Sequence, residues 1–179
     1  MKEIVQDGAE VLRQIAEPIP NELFDSAELD RLITDMAKAL DEKPEGVALA
    51  APQVGVPYRL FIVRKDRTLP ALEVKEGENP QERPAEVEVY INPEIVKTSR
   101  KKILEDEGCL SVNGVYGTTK RHERVTISAN HPDGSRFERG AGGLMAQIFE
   151  HEIDHLNGIL FIDHAEQLAQ VTNDNESAT

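Results

Sequence analysis

The sequence predicts an α+β domain, with strands between one helix ahead of them and one buried helix behind. Three observations carry the prediction. Strand-like stretches at 58–64, 87–92 and 123–130 succeed one another. The last is followed by His131-Pro132-Asp133-Gly134, a turn sequence, and by a return at 136–139. Apolar residues at helical spacing gather in two places, Leu29 to Leu40 before these strands and Leu144 to Leu156 after them. Strands that come before one buried helix, rather than alternating with helices, suggest an α+β domain.

The first helix begins at Asp25 or Ser26, where Ser26 stands three residues before Leu29 and fits a capped start. Leu29, Leu32, Ile33, Met36 and Leu40 then recur on one face, and that stripe is core packing. Pro44 and Gly46 end the helix. Gly46-Val47-Ala48-Leu49-Ala50-Ala51-Pro52-Gln53 follows, with small residues and one amide at its end. It suits a loop that a ligand backbone approaches closely, and equally a tight connection from helix to strand. In the stretch at 123–130, Val125, Ile127 and Ala129 alternate with polar residues, the pattern of a half-buried strand. Positions 66–86 hold Pro70, Pro80 and Pro84 among many acids, and read as a partly disordered surface insertion between two strands. A single domain is expected to span 1–165. A polar tail is expected at 166–179, frayed over 172–179.

The chemistry concentrates in His151-Glu152-Ile153-Asp154-His155. On a helix, residues four apart share a face, so both imidazoles can bind one metal ion. Glu152 lies about 100° around the helix, where it reaches a water on that metal rather than the metal itself. An amphipathic helix with its histidines in solvent would give the same pattern. The flanking Leu144, Ile148, Phe149, Ile153 and Leu156 instead hold the segment helical and largely buried, and buried histidines need partners. A third ligand is then required. Cys109, in Glu107-Gly108-Cys109-Leu110-Ser111, is the candidate. It is the only cysteine in the chain and cannot form an internal disulfide. Alone it also reads as a small buried hydrophobe. A thiolate with two imidazoles suits zinc or ferrous iron with a fourth position open, in a reducing compartment.

Taken in order, GVALAAPQ, EGCLS and HEIDH resemble the three motifs of the peptide deformylase family, GxGxAAxQ, EGCLS and HExDH. The resemblance extends from about Ile4 to about Asp163. It implies antiparallel sheets packed around a central helix that bears HExxH, and one divalent ion held by Cys109, His151 and His155. It implies removal of the N-formyl group from the formyl-methionine of nascent peptides, with release of formate. Glu152 would move the proton, and Gln53 with the Leu110 N–H would stabilise the oxyanion. Val47, Leu144 and Ile148 match the methionine pocket, and the peptide would lie extended along Val47, Ala48 and Gly108. For Leu144 and Ile148, ordinary core packing explains the residues equally well. The second glycine of the family's loop is Ala48 here, harmless if its φ is negative. The family implies Fe²⁺ as the physiological ion, with Zn²⁺, Ni²⁺ or Co²⁺ able to occupy the same ligands. Some members carry a basic C-terminal helix that docks on the ribosome. The polar, acidic end of this chain argues against tight docking by that route and leaves transient ribosome contact as the expectation.

Composition bounds the alternatives. With 179 residues the chain makes one ordinary domain. At 4% aromatics and no Trp, its core must be built from Leu, Ile, Val and Ala. A formal net charge of −13 opposes direct binding to a nucleic-acid backbone or an anionic membrane. No apolar run approaches the ~20 residues of a membrane span. The first residues resemble neither a secretory signal nor a transit peptide, so a cytosolic protein, or an organellar one after processing, is expected. Two rivals remain at this point. A zincin-type endopeptidase would need a downstream ligand such as Asp163, His164 or Glu166, and a noncatalytic structural site would need a fourth protein ligand.

Overall fold

The computed structural model describes residues 2–68 and 86–171. It has the expected class, an α+β fold of antiparallel sheets with few helices. Helix α1 (Ala27–Asp41) starts where Ser26 caps it, its side chain accepting from the Leu29 N–H at 3.1 Å. Leu29, Met36, Ala39 and Leu40 are buried along it. Strands β1 (Ala48–Ala50), β2 (Leu60–Arg64), β3 (Val87–Thr98), β6 (Arg124–Asn130) and β7 (Arg136–Gly142) form one sheet in the order β1-β2-β3-β6-β7. Its neighbours pair antiparallel throughout. Strands β4 (Lys102–Cys109), β5 (Val112–His122) and β8 (Gln167–Gln170) form a second, also antiparallel. Helix α3 (Gly143–Leu156) packs on β1, β6 and β7 of the first sheet and on β5 of the second. Its Ile148, Phe149, Ile153 and Leu156 join Phe61, Tyr90 and Ile127 in the main core.

Several elements depart from the sequence reading. Ala48–Ala50, expected in a loop, is a strand in register with Val63, Ile62 and Phe61. Full burial of its small residues removes the period-2 signal that marks a half-exposed strand. Gln167–Gln170, assigned to the polar tail, is an edge strand on β5, and all four residues are exposed. The stretch at 87–92 extends to Thr98, and the return strand to Gly142. Of the insertion expected at 66–86, Asp66, Arg67 and Thr68 belong to the short helix α2 (Lys65–Thr68), while 69–85 lie outside the described residues, as do 172–179. Gly158 turns the chain sharply after α3 at φ +74°, and a Cβ there would meet the Arg13 carbonyl oxygen at 2.6 Å.

Candidate active site

Strand β4, strand β1 and helix α3 meet around a cavity of about 310 Å³. The fold brings together there almost every residue that the sequence singled out. Val47, Ala48, Gln53, Gly108, Cys109, Leu110, Leu144, Ile148, His151 and Glu152 all line it. His155 does not line the cavity but sits behind it, buried, with Nε2 3.2 Å from Cys109 Sγ. Leu144 is 46% exposed and Ile148 is buried, so the pair spans the mouth and the wall rather than sharing one core. Ala48 is absent from the described non-glycine residues with positive φ, so its methyl carries no backbone strain.

The ligand atoms of Cys109, His151 and His155 lie within 4.8 Å of one another. The two rings stand on one face of α3 with centroids 4.9 Å apart, as four-residue spacing requires. Cys109 reaches them because β4 breaks its register with β5 between Gly108 and Cys109, a bulge that re-aims the side chain. The donor set fits a divalent ion. Two buried polar atoms beside it, Glu152 Oε2 and His155 Nδ1, have no hydrogen-bond partner among the described residues. An ion held by these three residues would keep a further position open for water.

Electrostatics point the same way. Burial by itself lowers the His151 pKa, but hydrogen bonds with Cys109 and Glu107 outweigh it and hold the ring well above its usual range. The anionic surroundings thus demand a positive charge at this place. Burial pushes His155 well below its usual range, and repulsion from His151 adds to the effect. Glu152 is pushed up to about 7, mainly by burial, which poises it to exchange a proton near neutrality.

Gln53 is fixed at both ends of its amide. Its Oε1 accepts from the Ala50 N–H at 2.9 Å, and its Nε2 donates to Ser111 Oγ at 3.2 Å and lies 3.5 Å from Cys109 Sγ. The N–H face is therefore aimed at the sulfur side of the cavity.

Around this lies a network to which the sequence reading assigned no role. His151 Nδ1 lies 2.5 Å from Glu107 Oε1. Arg121 donates Nε–H to Glu107 Oε2 at 3.0 Å and a terminal N–H to Asp154 Oδ2 at 2.7 Å. Thr119 donates its hydroxyl to Glu107. Glu107 is consequently held well below the usual carboxylate range: burial opposes ionisation, but the bonds from His151 and Arg121 prevail. Such partners fix the ring orientation of a metal-ligating histidine. Asp154 could have been noticed, since it stands inside HEIDH. Arg121 offers no local signal, because only strand pairing brings it to Glu107. His164, the zincin alternative, lies against Asp154 at 3.3 Å and is not among the converging ligands.

The family model for polypeptide deformylase matches residues 1–171. The chain belongs to the peptide deformylase family. The peptide deformylase of Symbiobacterium thermophilum is 39% identical over 174 residues, which are 97% of this chain and 71% of that protein. The chloroplastic peptide deformylase 1A of Solanum lycopersicum is 35% identical over 164 residues, and the chain spans 59% of its length. Among solved structures, the Met-Ala-Ser-bound class I type b peptide deformylase of Acinetobacter baumannii aligns with a TM-score of 0.77 and 34% identity. That alignment covers 90% of this chain and 96% of that one. The activity is accordingly that of the family, hydrolysis of the N-formyl group from formyl-methionine by a metalloenzyme. No helix among the described residues is long and apolar enough to cross a membrane.

Proposed function

We propose that the cavity between β1, β4 and α3 carries out deformylation with Cys109, His151 and His155 holding a single divalent ion. One observation carries this reading: the three ligand atoms converge within 4.8 Å beside a buried carboxylate, Glu152, whose Oε2 has no hydrogen-bond partner among the described residues. When bound, the ion supplies Lewis acidity and makes hydroxide available at neutral pH. The chain's own groups do the rest. Glu152 takes a proton from the attacking water and returns it to the leaving amine nitrogen, so the formamide plus water becomes formate plus a free N-terminal amine. The Gln53 amide and the Leu110 N–H stabilise the charge that develops on the formyl oxygen. Glu107 and Arg121 keep His151 oriented throughout.

The methionine side chain fits between Val47, Leu144 and Ile148, apolar walls that accept an unbranched thioether. The peptide backbone lies extended along Ala48 and Gly108. Register supports this placement. Leu49 and Ile62 are partners, and the Arg64 N–H bonds the Val47 carbonyl at 2.8 Å, so the N–H and C=O of Ala48 turn away from β2 toward the free edge. In this reading α3 is the central element on which both sheets pack, and 1–165 is one catalytic domain. The physiological ion is Fe²⁺, with Zn²⁺, Ni²⁺ or Co²⁺ able to replace it. The protein works in the cytosol, or in an organelle as the chloroplastic relative does, on nascent formyl-methionyl peptides with transient ribosome contact and no direct nucleic-acid or membrane binding.

The deciding experiment is metal analysis after anaerobic purification, coupled to formate release from a formyl-methionyl peptide. Iron-loaded protein should be faster than zinc-loaded protein. Equal rates would remove the iron assignment, and formate release that survives removal of all metal would remove the metal reading.

A further inference from the structure

The strand that faces the substrate hangs on a turn that is secured from outside the cavity. After α1 ends at Asp41, residues 42–47 carry the chain to β1, and Gly46 is buried where that turn meets the cavity. One guanidinium gathers the turn. Arg67 Nη1 donates to the carbonyls of Gly46 at 2.6 Å, Lys43 at 2.9 Å and Leu40 at 3.4 Å. Its Nη2 lies 3.6 Å from Asp41 Oδ1, and Asp41 is paired in turn with buried Arg64. Arg67 itself stands on α2 and does not line the cavity. No step of the deformylation chemistry touches it.

The Gly46 carbonyl depends on this contact. Arg67 is its one hydrogen-bond donor among the described residues. A buried carbonyl stripped of its donor carries the full cost of desolvation, so the peptide unit shifts to find another. Gly46 has little room to shift harmlessly. A Cβ on it would meet Leu110 Cδ1 at 2.7 Å and Leu40 Cδ1 at 2.8 Å, so the glycine lies tightly against both side chains. Its carbonyl carbon is bonded to the Val47 nitrogen, and rotation of that peptide swings Val47, one wall of the methionine pocket. On its far side Val47 is fixed by the Arg64 N–H, 2.8 Å from its carbonyl. Arg64 and Arg67 thus hold Val47 from both ends, one through its own carbonyl and the other through the preceding one.

We propose that Arg67 is a positioning residue for substrate recognition. From outside the cavity it locks the Gly46–Val47 peptide, and so sets the fit of the methionine pocket and the aim of the Ala48 backbone. The proposal rests on the deformylase reading of the site. Lysine is a poor substitute, because an ammonium is a compact, strongly hydrated point charge. It holds the carbonyls less firmly than a planar guanidinium that is turned at the same time toward Asp41.

The test is steady-state formate release by the metal-loaded full chain from formyl-methionyl and formyl-alanyl tripeptides, with metal content measured beside it. Arg67→Ala should raise KM for the methionyl peptide about tenfold, the loss falling on KM rather than on kcat or metal content. It should also shrink the preference for the methionyl over the alanyl peptide, and Arg67→Lys should fall between. Millimolar guanidinium, far below denaturing concentrations, should bring the Arg67→Ala KM back toward the wild-type value, while equal urea does not. A variant that was merely destabilised would lose kcat on both peptides alike and would be worsened by guanidinium. Wild-type KM and preference in Arg67→Ala, a loss confined to kcat, or a defect that guanidinium deepens overturns the proposal while the deformylase reading stands. Should Arg67→Ala not fold, Arg67→Lys carries the same comparison, and wild-type KM in it overturns the proposal. Absence of formate from both peptides with the wild type overturns the deformylase reading itself.

Discussion

At the scale of single residues, Glu152 and its neighbours make separable contributions. Glu152 is buried and pushed up to about 7, and it lies outside the set of three converging ligand atoms. Glu152→Ala is therefore expected to keep the metal and lose about 10²-fold or more in formate release, since general acid/base groups contribute ~10²–10⁴-fold. Cys109→Ala and His155→Ala should lose metal as well as activity. Elemental analysis beside the activity assay separates the classes, and equal metal loss in all three variants would move Glu152 into the coordination shell. The three candidate ligands were legible because their signals are local. Two histidines four apart on an apolar helix, and the chain's lone cysteine, need no knowledge of topology. Glu107 and Arg121 were illegible as a pair because they stand fourteen positions apart and are brought together only by the β4–β5 register, which matches Glu107 to Gly117 and Ile103 to Arg121.

At the scale of elements, the Arg121 side chain ties β4, β5 and α3 together through buried Glu107 and part-buried Asp154. Arg121→Ala strands an ionised Glu107 in the interior and should cost about 3–5 kcal/mol in urea unfolding of the metal-free protein. A loss below 1 kcal/mol would mean that water reaches Glu107 freely. The end of β2 carries a second clamp, with Arg64 bonding Asp66 at 2.9 Å from two nitrogens and pairing with Asp41 of α1. The Arg64 hydrogen bonds hold the Asp66 pKa below its ordinary value. Its stabilisation is then fully present above the unfolded-state pKa of ~3.9, and is lost as pH falls through the lower folded-state value. Asp66→Asn should lower stability by about 1.5–3 kcal/mol at pH 7, with a deficit that shrinks below pH ~4. Chemical denaturation across that range checks it, and a pH-independent deficit would refute the linkage. Helix α1 and strands β2 and β6 were readable from the pattern of their apolar residues, and β7 from the His131-Pro132-Asp133-Gly134 turn that precedes it. Strands β4 and β5 were not, since their inward positions include Glu107, Thr119 and Arg121. A strand whose buried face is polar has no hydrophobic alternation to detect.

For the whole molecule, the net charge of −13 sets how it meets large partners. Counterion release gives no driving force for an acidic surface against ribosomal RNA. Cosedimentation of the purified protein with vacant ribosomes at physiological salt should stay near background. Retention that weakens steeply with added salt would reveal a local basic face. Family and α+β class were legible from three ordered motifs and the strand-rich middle of the chain. The division into two sheets was not, because nothing local states that β4, β5 and β8 leave the first sheet to form their own.

Strand β1 has one more consequence. An open sheet edge is a template for any extended chain, including another copy of the same protein, and long open edges invite fibrous association. This edge is three residues long, and the Ala50 N–H on it is already taken by Gln53. Ala48 is left as the residue whose N–H and C=O both turn outward, with the walls of the cavity to either side. Such a short recess admits the tip of a flexible polypeptide and rejects the broad, stiff margin of a folded neighbour. On the proposed placement of the peptide along β1, the protein can therefore offer bare backbone to its substrate and still resist polymerising with itself.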